Sequence, residues 1–305
     1  MTARYLTGLL GYPVEHSFSP RLHAAALRAC GLEGEYRLFE VFPGVHSEET
    51  IRHLLAMVRE GEIHGLNVTI PYKQTVLAML DELTDSAVGI GAVNTIYMAG
   101  GKLVGENTDA GGFLSDLKHQ MAAARRDISQ PYPPNSVALV LGAGGSARAV
   151  VYALFQAGWH VRVAARRVGQ AEELALSLGA STGNAQRLSF MELSPAVLTE
   201  WLTHSSVRLI VNTTPLGMVP NQDSSPWPEG VPFPQSAFLY DLVYNPAETR
   251  LMRAAREAGL PVAGGLGMLI EQAVRAFVIW TSCTPSPQAM QQAIESIYQE
   301  RIGNS

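Results

Sequence analysis

Lys73 stands in Asn67-Val-Thr-Ile-Pro-Tyr-Lys73, and lysine is scarce in this chain. Lys73, Lys102 and Lys118 are the only three among 22 basic residues. Lysine can give up its proton near working pH, and arginine cannot. Pro71 suits the opening of a helix, which the pattern predicts over 72–80. A cation in a first helical turn opposes the helix dipole, so that position disfavours its charge and suits a group that trades protons. A plain surface lysine in a first turn is the alternative. Asp109, within Asn107-Thr-Asp-Ala-Gly-Gly112, supplies a carboxylate. It either caps a helix predicted over 113–123 or pairs with Lys73.

Two stretches are suited to anions. In His16-Ser-Phe-Ser-Pro20, Pro20 fits the first position of a helix, Ser19 its N-cap and Gly31 its stop. Ser17, Ser19 and the helix N-terminus could together receive a carboxylate, or Ser19 could serve only as the cap. The second stretch is 137–151. Five apolar residues, 137–141, read as a buried strand. Gly142, Ala143, Gly144, Gly145 and Ser146 follow, and 146–156 reads as a helix with Val150, Val151 and Leu154 inward. Gly142 allows a tight turn, and Gly144 lets backbone approach a pyrophosphate at the helix N-terminus. Ala147 stands where a third glycine is common. The next strand, 160–165, ends in Ala165-Arg166-Arg167, with no carboxylate until Glu172. An NAD site would place Asp or Glu there for the ribose hydroxyl. Two guanidiniums suit a 2′-phosphate instead, which points to NADP.

The elements that must position these groups follow from periodicity. Strands are predicted over 6–11, 35–41 and 63–70, with helices after Ser19 and over 48–59 and 72–80. Strand alternating with helix implies a mostly parallel α/β sheet. Residues 91–97 and 102–106 read as a hairpin around Ala99-Gly-Gly101. The run 125–136, with three prolines, reads as a loop before the cofactor strand. Further on come a helix over 170–178, strands over 208–217, 238–244 and 261–263, and a proline-rich loop over 219–235. A helix over 248–258, a hinge at 264–267 and helices over 268–280 and 288–302 complete the chain. No internal repeat is present.

With 305 residues the chain suggests two domains, and 47% hydrophobic residues is ample for two cores. A net charge of −5, without a basic run beyond Arg125-Arg126 and Arg166-Arg167, argues against nucleic acid. No apolar run reaches membrane length, and the first residues lack the apolar core of a signal peptide. Cys30 and Cys283 are too few for a disulfide framework and have no metal spacing, so a reducing cytoplasm and no metal are expected.

Taken together, these stretches resemble the shikimate dehydrogenase family over nearly the whole chain. In order they are His16-Ser-Phe-Ser-Pro20, Asn67-Val-Thr-Ile-Pro-Tyr-Lys73, Gly91-Ala-Val-Asn-Thr95 and Asn107-Thr-Asp109. Then come Gly142-Ala-Gly-Gly-Ser-Ala-Arg148, Asn212-Thr-Thr-Pro-Leu-Gly-Met218, Asp241-Leu-Val-Tyr-Asn-Pro246 and Gly265-Leu-Gly-Met-Leu-Ile-Glu-Gln272. The lysine motif followed by the asparagine and aspartate motifs is the specific part.

The resemblance implies an α/β substrate domain, residues 1–108 and 266–305, with a Rossmann dinucleotide domain, 109–265, inserted. It implies reversible NADPH-dependent reduction of 3-dehydroshikimate to shikimate, a step toward chorismate and the aromatic amino acids. Lys73 would be the acid/base, with Asp109 orienting it. Ser17 and Ser19 would take the substrate carboxylate, and Thr69, Asn94, Tyr244 and Gln272 the carboxylate or ring hydroxyls. Gly142 to Ser146 would cradle the pyrophosphate, and Arg166 would grip the 2′-phosphate between Ala165 and Arg167. Leu242 and Gly265 would border the nicotinamide, and Asp85 would reach the cofactor side. Ala165 and Arg167 replace the Asn and Thr of the family's Asn-Arg-Thr motif, while Arg166 is kept. Glu271, beside Gln272, points about 100° away on a helix. A quinate/shikimate relative using NAD and a non-catalytic NADP-binding regulator are the other readings. A monomer or homodimer, without nucleic acid or membrane partners, is expected.

Overall fold

A computed structural model of the chain describes residues 4–124, 136–182 and 185–303. The loop predicted over 125–136 and the Arg125-Arg126 pair lie outside them, apart from Ser136. The chain divides into two compact units, Met1–Thr108 with Ile270–Ser305, and Asp109–Leu269.

The first unit opens with β1 (Arg4–Gly11), α1 (Ser19–Ala29), β2 (Glu33–Glu40), α2 (Ser47–Arg59) and β3 (Gly65–Val68). It continues through a 3₁₀ turn (Thr75–Met79), β4 (Glu82–Leu83), α3 (Asp85–Ile90), β5 (Thr95–Ala99) and β6 (Lys102–Glu106). The sheet runs β2-β1-β3-β5-β6-β4. β1 is parallel to β2 and β3, whereas β5 is antiparallel to β3 and β6, so the sheet is mixed. Gly100 and Gly101 both have positive φ, as a two-residue hairpin turn demands. One face buries Leu10, Leu66 and Ile96 with Ile51, Leu55 and Val58 of α2.

The second unit holds α4 (Thr108–Ala123), β7 (Val137–Leu141), α5 (Gly145–Gln156), β8 (His160–Ala165), α6 (Val168–Thr182), β9 (Leu188–Glu192) and α7 (Pro195–Thr203). After these come β10 (Val207–Asn212), β11 (Phe238–Asp241), α8 (Arg250–Glu257) and β12 (Val262–Gly264). Its sheet, β12-β11-β10-β7-β8-β9, is parallel throughout. The order reverses direction between β7 and β10, which is the doubly wound Rossmann pattern. Val150, Val151 and Leu154 are fully buried, as the periodicity required. α9 (Leu266–Thr281) and α10 (Pro287–Gly303) end the chain. In the first unit α9 sends Trp280 Nε1 to donate to the Ile96 carbonyl, and a Cβ at Gly65 would stand 2.0 Å from that nitrogen.

Several expectations give way. No α-helix spans 72–80. Residues 71–74 form a turn, and only the 3₁₀ turn follows. The Lys73 carbonyl accepts from Val93 N–H at 2.8 Å, so it is engaged outside any helix. The dipole argument for Lys73 therefore falls. Ser19 is not an N-cap, because α1 begins at Ser19 after Phe18. Instead Ser17 Oγ accepts from Ser19 N–H at 3.2 Å. Asp109 lies in the first turn of α4, which starts at Thr108 rather than 113, so it is not the cap of a later helix. The run 264–267, expected as a hinge, is the junction of two regular elements. Gly264 ends β12, Leu266 begins α9, and Gly265 N–H donates to the Val243 carbonyl. Cys30 and Cys283, expected as reduced thiols, are joined with Cα atoms 6.4 Å apart across 253 positions of sequence. Folding brings the ends of α1 and α9 together, and no sequence spacing announces that.

Candidate active site

Strand direction gathers the polar motifs of the first unit on one rim of its sheet. The carboxyl ends of parallel β1 and β3 meet there, since Leu10 pairs with Val68. β5 runs the other way and begins there, with Thr95 opposite Asn67, and β6 ends there, with Glu106 opposite Thr95. Ser17 and Ser19 follow β1, Thr69 and Lys73 follow β3, and Asn94 precedes β5. Loops at the carboxyl ends of strands are where an α/β sheet binds ligands.

The rim is buried and closely bonded. Ser19, Lys73, Asn94 and Gln272 are all buried, while Ser17 and Thr69 are half-buried. Tyr36 Oη donates to Asn67 Oδ1 at 2.8 Å. Asn67 Nδ2 in turn donates to the Asn94 carbonyl and to Thr95 Oγ1, each at 3.1 Å. Asn94 Oδ1 accepts from Thr108 N–H at 2.7 Å, and its Nδ2 donates to Thr108 Oγ1 at 2.9 Å. Buried polar groups satisfied in this way hold the rim rigid. Sequence reading missed Tyr36, Asn67 and Thr108, because their partners lie on other strands. Asp85 is exposed in the first turn of α3, beside the Thr84 cap, where a carboxylate suits the helix dipole.

In the second unit the glycine turn lies at the end of β7, beside β10. Gly142 has φ +109°, and a Cβ there would stand 2.7 Å from Thr213 Oγ1. Gly144 precedes α5, is exposed, and would carry a Cβ into open space. Packing within the protein therefore does not require glycine at 144, whereas a ligand backed against the main chain would. Ala143, Gly145 and Ser146 are half-buried around the helix N-terminus. These residues fit a dinucleotide pyrophosphate.

Ala165 closes β8 in a buried position, and Arg166 and Arg167 emerge exposed. The carboxylate in register with this strand end is Glu192 of β9, opposite Ala165, which linear reading could not see. Asp109 is buried in the first turn of α4. Leu242 and Tyr244 are half-buried after β11, and a Cβ at Gly265 would stand 2.0 Å from the Leu242 carbonyl oxygen. Among the described residues no group of three His, Cys, Asp or Glu is placed to hold a metal ion. Nor is any of their helices long and apolar enough to cross a membrane.

Known proteins share this fold. A family model for the shikimate dehydrogenase substrate binding domain matches residues 9–96, and one for the shikimate 5'-dehydrogenase C-terminal domain matches residues 265–295. A shikimate dehydrogenase (NADP(+)) of Salinibacter ruber is 43% identical over 284 residues, covering 90% of this chain and 92% of the relative. A crystal structure of a shikimate dehydrogenase in complex with NADP+ superposes with TM-score 0.84 at 34% identity, covering 98% of each chain. The enzyme of Thermus thermophilus, solved with NADP(H) and shikimate, has TM-score 0.78 at 38% identity, covering 96% of this chain and 99% of its own. Identity at this level over nearly the full length of both chains makes the chain a member of the shikimate dehydrogenase family.

Proposed function

We infer that the protein catalyses reversible reduction of 3-dehydroshikimate to shikimate with NADPH, a step in aromatic amino-acid biosynthesis. The observation that carries this reading is full-length similarity to shikimate dehydrogenases, with Lys73 and Asp109 both present and both buried. The presence of both groups favours an enzyme over a regulator, because a sensor needs no proton donor.

NADPH, when bound, supplies the hydride. This chain's residues do the rest. Lys73 gives its proton to the oxygen of the carbon being reduced, and takes it back in the reverse direction. Its ammonium also stabilises negative charge growing on that oxygen. Asp109 orients the ammonium. Ser17 and Ser19 receive the substrate carboxylate, while Thr69, Asn94, Tyr244 and Gln272 take the carboxylate or ring hydroxyls. The amides and small side chains from Gly142 to Ser146 receive the pyrophosphate. Ala165, Arg166 and Arg167 frame the 2′-phosphate. Leu242 and Gly265 border the nicotinamide, and Asp85 serves the cofactor from α3.

A matrix of shikimate and quinate against NADP and NAD, read by absorbance of the reduced cofactor, tests the reading. Shikimate with NADP should be the fastest pair. Quinate with NAD as the fastest pair would favour the quinate/shikimate relative, and cofactor binding without turnover would favour the regulator. We also place the enzyme in the cytoplasm, which fractionation of cells tests. Alkylation of rapidly quenched cells should add no group at the Cys30–Cys283 pair, and two added groups would mean that the pair is reduced there. Sedimentation separates monomer from homodimer.

A further inference from the structure

Asp241 is a fully buried carboxylate to which the reaction above gives no task. It ends β11 and accepts three hydrogen bonds: from Asn212 Nδ2 at 2.8 Å, Thr249 Oγ1 at 2.7 Å and Val243 N–H at 3.1 Å. All three donors are neutral, and no cation pairs with the carboxylate among the described residues. Three donors and no counter-charge keep a negative charge in place without cancelling it.

Its position gives that charge an object. Leu242 follows Asp241 in the chain. Gly264 of β12 is its cross-strand partner, and Gly265 follows Gly264. Gly265 closes against the Leu242 carbonyl so tightly that no Cβ fits. The two residues assigned to the nicotinamide thus flank Asp241, one along the chain and one across the sheet.

We propose that Asp241 sets a negative field at the nicotinamide subsite, so that the cationic ring of NADP+ is held more tightly than the neutral ring of NADPH. The proposal rests on the cofactor reading above. Burial raises the Asp241 carboxyl to about 6, which leaves it ionised at neutral pH. At an effective dielectric of about 20, a unit charge pair on the order of 10 Å apart changes affinity by roughly tenfold. Loss of hydride turns the ring cationic, so the same field assists reduction of the ketone. Tighter binding of the oxidised form by tenfold lowers the potential of the bound couple by about 30 mV.

Asp241→Asn is a usable neutral isostere. Its Oδ1 can keep the bonds from Asn212 and Val243, and its Nδ2 can donate to Thr249 Oγ1. The test measures dissociation constants of NADP+ and NADPH separately, by calorimetry, without substrate. In Asp241→Asn the NADP+ constant should rise about tenfold while the NADPH constant stays within about twofold. In Thr249→Val, which keeps the charge and loses one donor, the ratio of the two constants should match wild type. Asp241→Ser reads the same ratio if the Asn variant does not fold. Equal weakening of both forms in the Asp241 variants, or no change, overturns the proposal and leaves Asp241 as a support for the strand end. A wild-type protein that binds neither form sinks the cofactor reading itself, which is a different result.

Discussion

Lys73 is buried at the sheet rim, with its carbonyl held by Val93 N–H. A long cationic side chain buried among groups suited to a ligand is a candidate for chemistry. Lys73→Ala should lower kcat by about 10²–10⁴, the usual contribution of a proton donor, and leave the KM for shikimate within a few-fold. Steady-state kinetics on a folded variant decide this, and near-normal turnover removes Lys73 from the reaction. Arg166 carries the cofactor choice. Arg166→Ala should raise the KM for NADP by roughly ten- to a hundredfold, the loss of a charge-assisted bond of about 1.5–3 kcal/mol, and leave that for NAD unchanged. The double variant with Arg167→Ala shows whether both guanidiniums contribute. Equal weakening with both cofactors would mean that the arginines hold the adenine side or the strand end instead.

At the scale of elements, the two glycines of the β7–α5 turn should behave differently. Gly142 has φ +109° and a crowded Cβ position, so Gly142→Ala should cost about 1–3 kcal/mol of stability. Gly144 has φ −86° and open space, so Gly144→Ala should leave stability within about 0.5 kcal/mol. It should still weaken NADP binding about tenfold or more, because the added methyl stands where a phosphate would approach. Thermal melts with and without NADP separate the two effects. This turn is legible in the sequence because glycine spacing is itself the physical requirement. The strand–turn–helix around it, the hairpin at Gly100-Gly101 and the stop at Gly31 are legible for the same reason. The segment after Pro71 is not, since Val93, twenty residues on, takes the carbonyl that a helix there would have used. Ser19 has the sequence setting of a cap, but Ser17 Oγ, two residues earlier, takes its amide. α3 carries a Thr84 cap and a Gly91 stop and α7 has Pro195 in its first turn, but α3, β9 and α7 are each too short to show a clear apolar period, and tertiary packing decides such elements. The Cys30–Cys283 pair and the Tyr36–Asn67–Asn94 chain of bonds join distant stretches, which no local reading contains.

For the whole molecule, acid should move the two units in opposite directions. His23 of α1 is fully buried in the first unit, with both ring nitrogens lacking a hydrogen-bond partner. It stacks on Tyr36 with centroids 4.2 Å apart and planes 5° apart. Burial lowers its pKa from 6.5 to about 3. Between those values the unfolded chain takes a proton that the folded unit refuses. Stability from neutral His23 is therefore full above pH 6.5 and falls below it, by up to about 1.4 kcal/mol per pH unit. Asp241 in the second unit has the opposite sign. Burial raises it from 3.8 to about 6, so between those values the folded unit keeps a proton that the unfolded chain releases. The second unit thus gains stability as pH falls from about 6 to about 4, by up to the same slope. Scanning calorimetry from pH 7 to pH 5 should resolve two transitions that shift in opposite senses. Trp280, near His23 at 5.4 Å, reports the first unit, and Trp159, Trp201 and Trp227 report the second. His23→Phe should abolish the acid fall of the first transition and leave the second untouched, while Asp241→Asn should abolish only the gain of the second. A single transition that falls with acid at the same slope in wild type and His23→Phe would show that other groups govern the acid response.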